Sequence, residues 1–194
     1  MPTSRLSIAF GLAALALSAC ASLPPPSPSA PTPSTAPTAL SPTALSGAWV
    51  LDADRSRAID PWRGLALEIA DDGDGVVVKR MWTGSREGGA AVDSVRLVPG
   101  TTVRSAPMLQ WPDERHLGVY ITGDRTKTVA SRWEDGGRTL VTESALTVST
   151  QQGERPIRIY TEYRLSPEGD RLDVLELRST RPRPIHFVFA RAEA

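Results

Sequence analysis

The sequence predicts an all-β domain, an antiparallel barrel or sandwich of about 8–10 strands, behind an N-terminal anchor and a disordered tether. Three observations carry this reading. Apolar and polar residues alternate with period two through most of residues 46–189, the spacing that puts successive side chains on opposite faces of a strand. Gly- and Asp-rich clusters break the alternation at short intervals, as at Asp71, Asp72, Gly73, Asp74 and Gly75, and such clusters turn a chain between strands. Proline and β-branched residues recur too often for an amphipathic helix of three turns.

The chain begins with a positive residue, Arg5, and an apolar run over 6–17 broken only by Ser7 and Gly11. That is a signal-peptide pattern, too short for a spanning helix, which needs about 20 residues. The run ends in Leu17, Ser18, Ala19 and Cys20, which resemble the lipobox of bacterial lipoproteins. The resemblance implies that 1–19 is removed and that Cys20 takes a diacylglyceryl group on Sγ and an acyl chain on its new amine. Several chains hold a protein at a bilayer where one binds marginally. Ala21, rather than Asp, follows the lipid site, which by the same resemblance implies an outer-membrane, periplasm-facing lipoprotein of the cell envelope. Ordinary cleavage after Ala21 is the alternative, since Ala19 and Ala21 fit the small-x-small pattern.

Removing 1–19 from 194 residues leaves 175, with 21 basic residues against 22 acidic once Arg5 is lost. That balance argues against nucleic acid as a partner and against a polybasic membrane patch. Cys20 is the only cysteine. Once lipidated it leaves no thiol for a disulfide, a thiol nucleophile or a Cys-ligated zinc. Residues 20–44 hold the anchor and a linker rich in Pro, Ser, Thr and Ala. Such a segment cannot bury enough apolar surface to fold, and it favours extended polyproline II.

The β domain is expected over 45–194. Strands are predicted at 46–52, 65–69, 76–82 and 92–98, with Leu65, Leu67 and Ile69 facing inward. Prolines 99, 107 and 112 break the next stretch, and 117–121 reads as a short strand. A hairpin of 126–133 and 138–148 turns at Glu134, Asp135, Gly136 and Gly137. The clearest alternation follows: Ile157, Ile159, Thr161, Tyr163 and Leu165 on one face, Arg158, Tyr160, Glu162 and Arg164 on the other. Strands at 172–177 and 185–189 complete the domain. Arg and Glu at mid-strand on the outward face argue against a membrane-spanning barrel.

Gly47, Trp49 and Asp52 at the start of the domain, the Asp-Gly hairpin turns, and Phe187, Phe189 and Arg191 at its end resemble an uncharacterised group of bacterial lipocalin-like proteins. The resemblance covers roughly 45–191. It implies a lipocalin-like barrel in which the opening Trp49 lies at one end and Arg191 of the last strand packs over it, with Gly47, Trp49 and Arg191 as structural residues. A guanidinium over an indole contributes about 0.5–2 kcal/mol. The alternative is a core Trp49 with Arg191 loose in a frayed tail.

Few residues suggest chemistry. The run Asp71–Gly75 lacks a third calcium ligand at Val76 and reads as a hairpin turn. His116 and His186 are the only histidines, nothing accompanies them at metal spacing, and both are expected to face solvent. Ser85 lies in a sequence that departs from the Gly-x-Ser-x-Gly elbow. No catalytic residue, metal ligand or cofactor is therefore assigned, and the residues favour a non-enzymatic role while leaving carboxylate catalysis open. Trp62 and Trp111 stand beside prolines in loop-like stretches, either lining a ligand mouth or packing a loop. Two functions follow: a lipid-anchored binding module for a small apolar ligand, or a structural or protein-interaction accessory of the envelope.

Overall fold

Among the described residues, alternation and turns build a single antiparallel sheet of eleven strands. The computed structural model describes residues 42–57, 62–84, 90–101, 104–107, 120–121 and 125–193. The expectations for the signal peptide, Cys20, nearly all of the tether, Ser85, Trp111 and His116 lie outside the described residues.

The strands in chain order are β1 (Gly47–Leu51), β2 (Trp62–Asp71), β3 (Val76–Gly84), β4 (Ala90–Leu97), β5 (Arg104–Pro107), β6 (Tyr120–Ile121), β7 (Thr126–Glu134), β8 (Thr139–Thr150), β9 (Gly153–Leu165), β10 (Arg171–Arg178) and β11 (Ile185–Arg191). Their order across the sheet is β4-β3-β2-β1-β11-β10-β9-β8-β7-β5, with β6 beside β8. Most neighbours are consecutive in sequence, as tight turns require. The first and last strands pair, placing Trp49 opposite Arg191 and Leu51 opposite Phe189. The two end strands, β4 and β5, come side by side, so the sheet curls into a nearly closed barrel. Closure removes most of the exposed edge that an open sheet would present.

Parity decides what lies inside. Along β9, Ile157, Thr161, Tyr163 and Leu165 are buried while Arg158 and Arg164 are exposed. Along β2, Leu65, Leu67 and Ile69 are buried, joined at the same end of the barrel by Trp49, Leu172, Phe187 and Phe189. A second, smaller apolar group of Leu146, Val148 and Ile157 packs elsewhere in the barrel. The turn at Asp71–Gly75 is held internally: the Asp71 and Asp72 carboxylates accept from the Gly73 and Asp74 amides, and Arg96 grips Asp72 at 2.6 Å.

One expected loop is a strand. Trp62 opens β2 opposite Gly84, with a register irregularity before Gly64. His186, expected in solvent, lies on the outward parity of β11, its side chain 40% exposed and its Nε2 3.3 Å from Asp173.

Candidate functional site

At one end of the barrel the chain enters through a short 3₁₀ turn, Pro42–Leu45. Leu45 is buried, and its carbonyl accepts a 3.0 Å hydrogen bond from the Trp49 indole N–H. Arg191 covers the same indole, Cζ lying 4.2 Å from the ring centre. Its guanidinium donates to the carbonyls of Ala44, Ser46 and Gly169 at 3.0, 2.7 and 3.0 Å. Gly47 completes the arrangement. Its φ of +142° is one that L side chains rarely adopt, and a Cβ there would stand 2.7 Å from Arg191 Nη1. Gly47, Trp49 and Arg191 thus form one structural unit that ties the entry segment, the first strand and the last strand together.

The interior holds a second group, which sequence reasoning did not single out. Arg80 on β3, Asp93 on β4, Lys127 on β7, Tyr163 on β9, and Glu176 and Arg178 on β10 all point into the barrel and line one small cavity of about 40 Å³. Glu176, 1% exposed, bridges two guanidiniums: Arg80 Nη1 at 2.6 Å and Arg178 Nε at 2.5 Å. Arg80 also donates to the Tyr163 hydroxyl from Nε at 3.0 Å and from Nη2. Lys127 Nζ reaches Asp93 Oδ2 at 2.6 Å, and the other Asp93 oxygen, also buried, has no partner among the described residues.

Burial opposes the charged form at Glu176, Arg80, Tyr163 and Lys127; neighbours outweigh it at the first two and not at the last two. At Glu176 burial pushes the carboxyl up, but Arg178 and Arg80 outweigh it and hold it down at about 2. At Arg80 burial works against the cation, while Tyr163 and Glu176 outweigh it and raise the guanidinium above its ordinary value. Burial pushes the Tyr163 phenol up, so it stays a neutral acceptor for Arg80. Burial also pulls the Lys127 amine down, with Asp93 resisting. Among the described residues lining the cavity, Arg80, Arg178 and Lys127 thus lie beside Glu176 and Asp93.

The Lys127–Asp93 pair has a second role. It joins β7 to β4 inside the barrel, beside the seam where the end strands β4 and β5 meet. Only one backbone hydrogen bond between described residues spans the same seam, from the Gly100 amide to the Ser131 carbonyl at 2.9 Å. A side-chain ion pair therefore fastens the barrel where a ladder does not.

Trp82 lines the same cavity. Among the described residues no group of three or more His, Cys, Asp or Glu is arranged to hold a metal.

No family model matches the sequence, and no curated protein matches it. Solved structures similar to this chain include the fatty-acid-binding protein of Manduca sexta, 12% identical, covering 76% of this chain and 98% of its own, with a TM-score of 0.39. Another is the secretory abundant heat soluble protein 4 of Ramazzottius varieornatus, 10% identical, covering 78% of this chain and 96% of its own, with a TM-score of 0.44.

Proposed function

We propose that this chain is a lipid-anchored envelope protein whose barrel binds a small, largely apolar molecule with an acidic head. The observation that carries the binding reading is a cavity inside the barrel lined by cationic as well as apolar side chains, with Arg80, Arg178 and Lys127 beside Glu176 and Asp93. Guanidinium and ammonium donors held in a buried cavity favour an anionic group over a neutral one. The cavity of about 40 Å³ suits a head rather than a tail. Anchoring rests on the apolar run at 6–17 and the lipobox-like sequence ending at Cys20.

The test is native mass spectrometry of the full-length protein for a retained molecule, with tryptophan-fluorescence titration by a long-chain fatty acid and by the alcohol of equal length. Trp82 beside the cavity reports the binding. The acid should bind and the alcohol should bind much more weakly. No retained molecule and no response to either would end the binding reading.

One observation favours the alternative, a structural or interaction accessory. The interior is already filled by its own side chains, as small barrels can be. Crosslinking in cells with and without residues 24–42 separates the two. A partner reached through the tether is lost on shortening, whereas small-molecule binding is not.

A further inference from the structure

A second concentration of charge lies outside the barrel interior. The segment after β1 carries Arg55 and Arg57, and the connection from β10 to β11 carries Arg181 and Arg183. Both are Arg-x-Arg sequences in the connections between strands. The fold brings the two together: Arg55, Arg57, Arg181, Arg183 and His186 line one open cleft, together with Pro182 and Pro184. No carboxylate is among the described residues lining it.

The cleft is held by its frame. The segment carrying Arg55 and Arg57 is stitched along β11. The Arg57 amide donates to the His186 carbonyl at 2.7 Å, and the Asp52 amide to the Val188 carbonyl at 2.8 Å. Ser56 Oγ donates to the Asp52 carbonyl at 2.6 Å and accepts from the Val188 amide at 2.9 Å. On the other side, the Arg181 amide donates to the Arg178 carbonyl and the Ser179 amide to the Arg158 carbonyl, both at 2.9 Å. Pro182 and Pro184 fix two of the φ angles in the same connection. The nearby acids are engaged elsewhere or weakly: Asp173 bonds Arg171 at 3.1 Å and His186 at 3.3 Å, and Asp52 lies 3.5 Å from Arg55. Arg57 and Arg183 are exposed and make no ion pair with a described residue.

The cleft sets Arg57 and Arg183 beside Arg55, Arg181 and His186, in a chain whose overall charge is balanced. Local charge of one sign, held on braced backbone, is what an anion site needs. Guanidinium forks match the oxygens of a phosphate better than a single carboxylate can use them. We propose that this cleft binds a phosphate-bearing ligand carrying at least two negative charges. It is separate from the barrel interior and stands whether or not that interior takes a ligand.

The shared chemistry has two sources, a soluble phosphoryl compound or an anionic lipid headgroup. The full-length protein in detergent is titrated with pyrophosphate by calorimetry. In parallel it is sedimented with phosphatidylcholine vesicles with or without phosphatidic acid, so that the N-terminal segment contributes equally to both. The double variant Arg57→Gln/Arg183→Gln is compared with Arg132→Gln, a β7 arginine already bonded to Glu134 and Glu143. A soluble source predicts pyrophosphate binding that the double variant weakens roughly tenfold or more and Arg132→Gln leaves unchanged. A lipid source predicts the same pattern only in the preference for phosphatidic acid. The proposal is overturned if neither probe binds, or if the double variant and Arg132→Gln behave alike. Both altered residues are exposed, so equal melting temperatures confirm that the fold is intact.

Discussion

Replacing Glu176 by Gln removes the carboxylate that separates two buried guanidiniums. Arg80 and Arg178 are 13% and 4% exposed at the side chain, so water cannot take the place of the lost charge. The magnitude follows by two routes. The Glu176 carboxyl moves from 4.5 to about 2 on folding, which at 1.36 kcal/mol per unit is about 3 kcal/mol of stability. Removing one partner of a buried pair costs about 3–5 kcal/mol in general. For a domain of this size either figure lowers the melting temperature by roughly 10 °C. The sign in pH is also determined. A depressed carboxyl contributes stability that is complete above its unfolded value of 4.5 and is lost as pH falls toward about 2. Wild type should therefore lose stability steeply through that window, and Glu176→Gln should show a flatter profile. Circular dichroism melts and urea titrations across pH 2–7 measure both. A shift under about 2 °C at neutral pH, or equal acid sensitivity in the two proteins, would refute the reasoning. Replacing Arg80, Glu176 and Arg178 together by apolar residues should restore much of the loss, because the two guanidiniums leave together with the carboxylate between them.

Other expectations follow from single contacts. Arg191→Ala removes three carbonyl contacts and the indole cover, costing about 2 kcal/mol in chemical denaturation, whereas Arg183→Ala should change stability little. Gly75→Ala drives a Cβ to 2.2 Å from the Leu97 carbonyl oxygen and should lower the melting temperature more than Gly73→Ala, where nothing lies within 4 Å. Lys127→Met leaves Asp93 buried and unpaired at the seam, and hydrogen exchange should rise selectively in β4 and β7. Uniform exchange across the sheet would argue that the seam is no weaker than the rest. Cys20→Ser should move the protein from the membrane to the soluble fraction of fractionated cells.

The fold was legible because period two is a local property. Strands β3, β9 and β10 could be read from alternation alone, and the turn at Asp71–Gly75 from its composition. The interior ions were written in the same pattern but were not read from it. Arg80 falls in step with buried Val78 and Trp82, and Glu176 with Leu172 and Val174. A charge on the apolar parity of a strand is the signal, and it needs only the sequence to be noticed. Its meaning needs the fold, because the partners are far apart in the chain: Arg80 to Glu176 spans 96 residues and Lys127 to Asp93 spans 34.

The sequence by itself determined an antiparallel all-β domain, since side-chain alternation and turn residues act over a few positions whatever the rest of the chain does. Tertiary structure alone decided which charges meet. Closing β1 onto β11 and bringing β4 beside β5 placed Arg80, Arg178 and Lys127 beside Glu176 and Asp93 in one dry interior. It also set two Arg-x-Arg sequences, more than a hundred residues apart, against one cleft. Electrostatic neighbours depend on distance in space, and a linear pattern does not carry it.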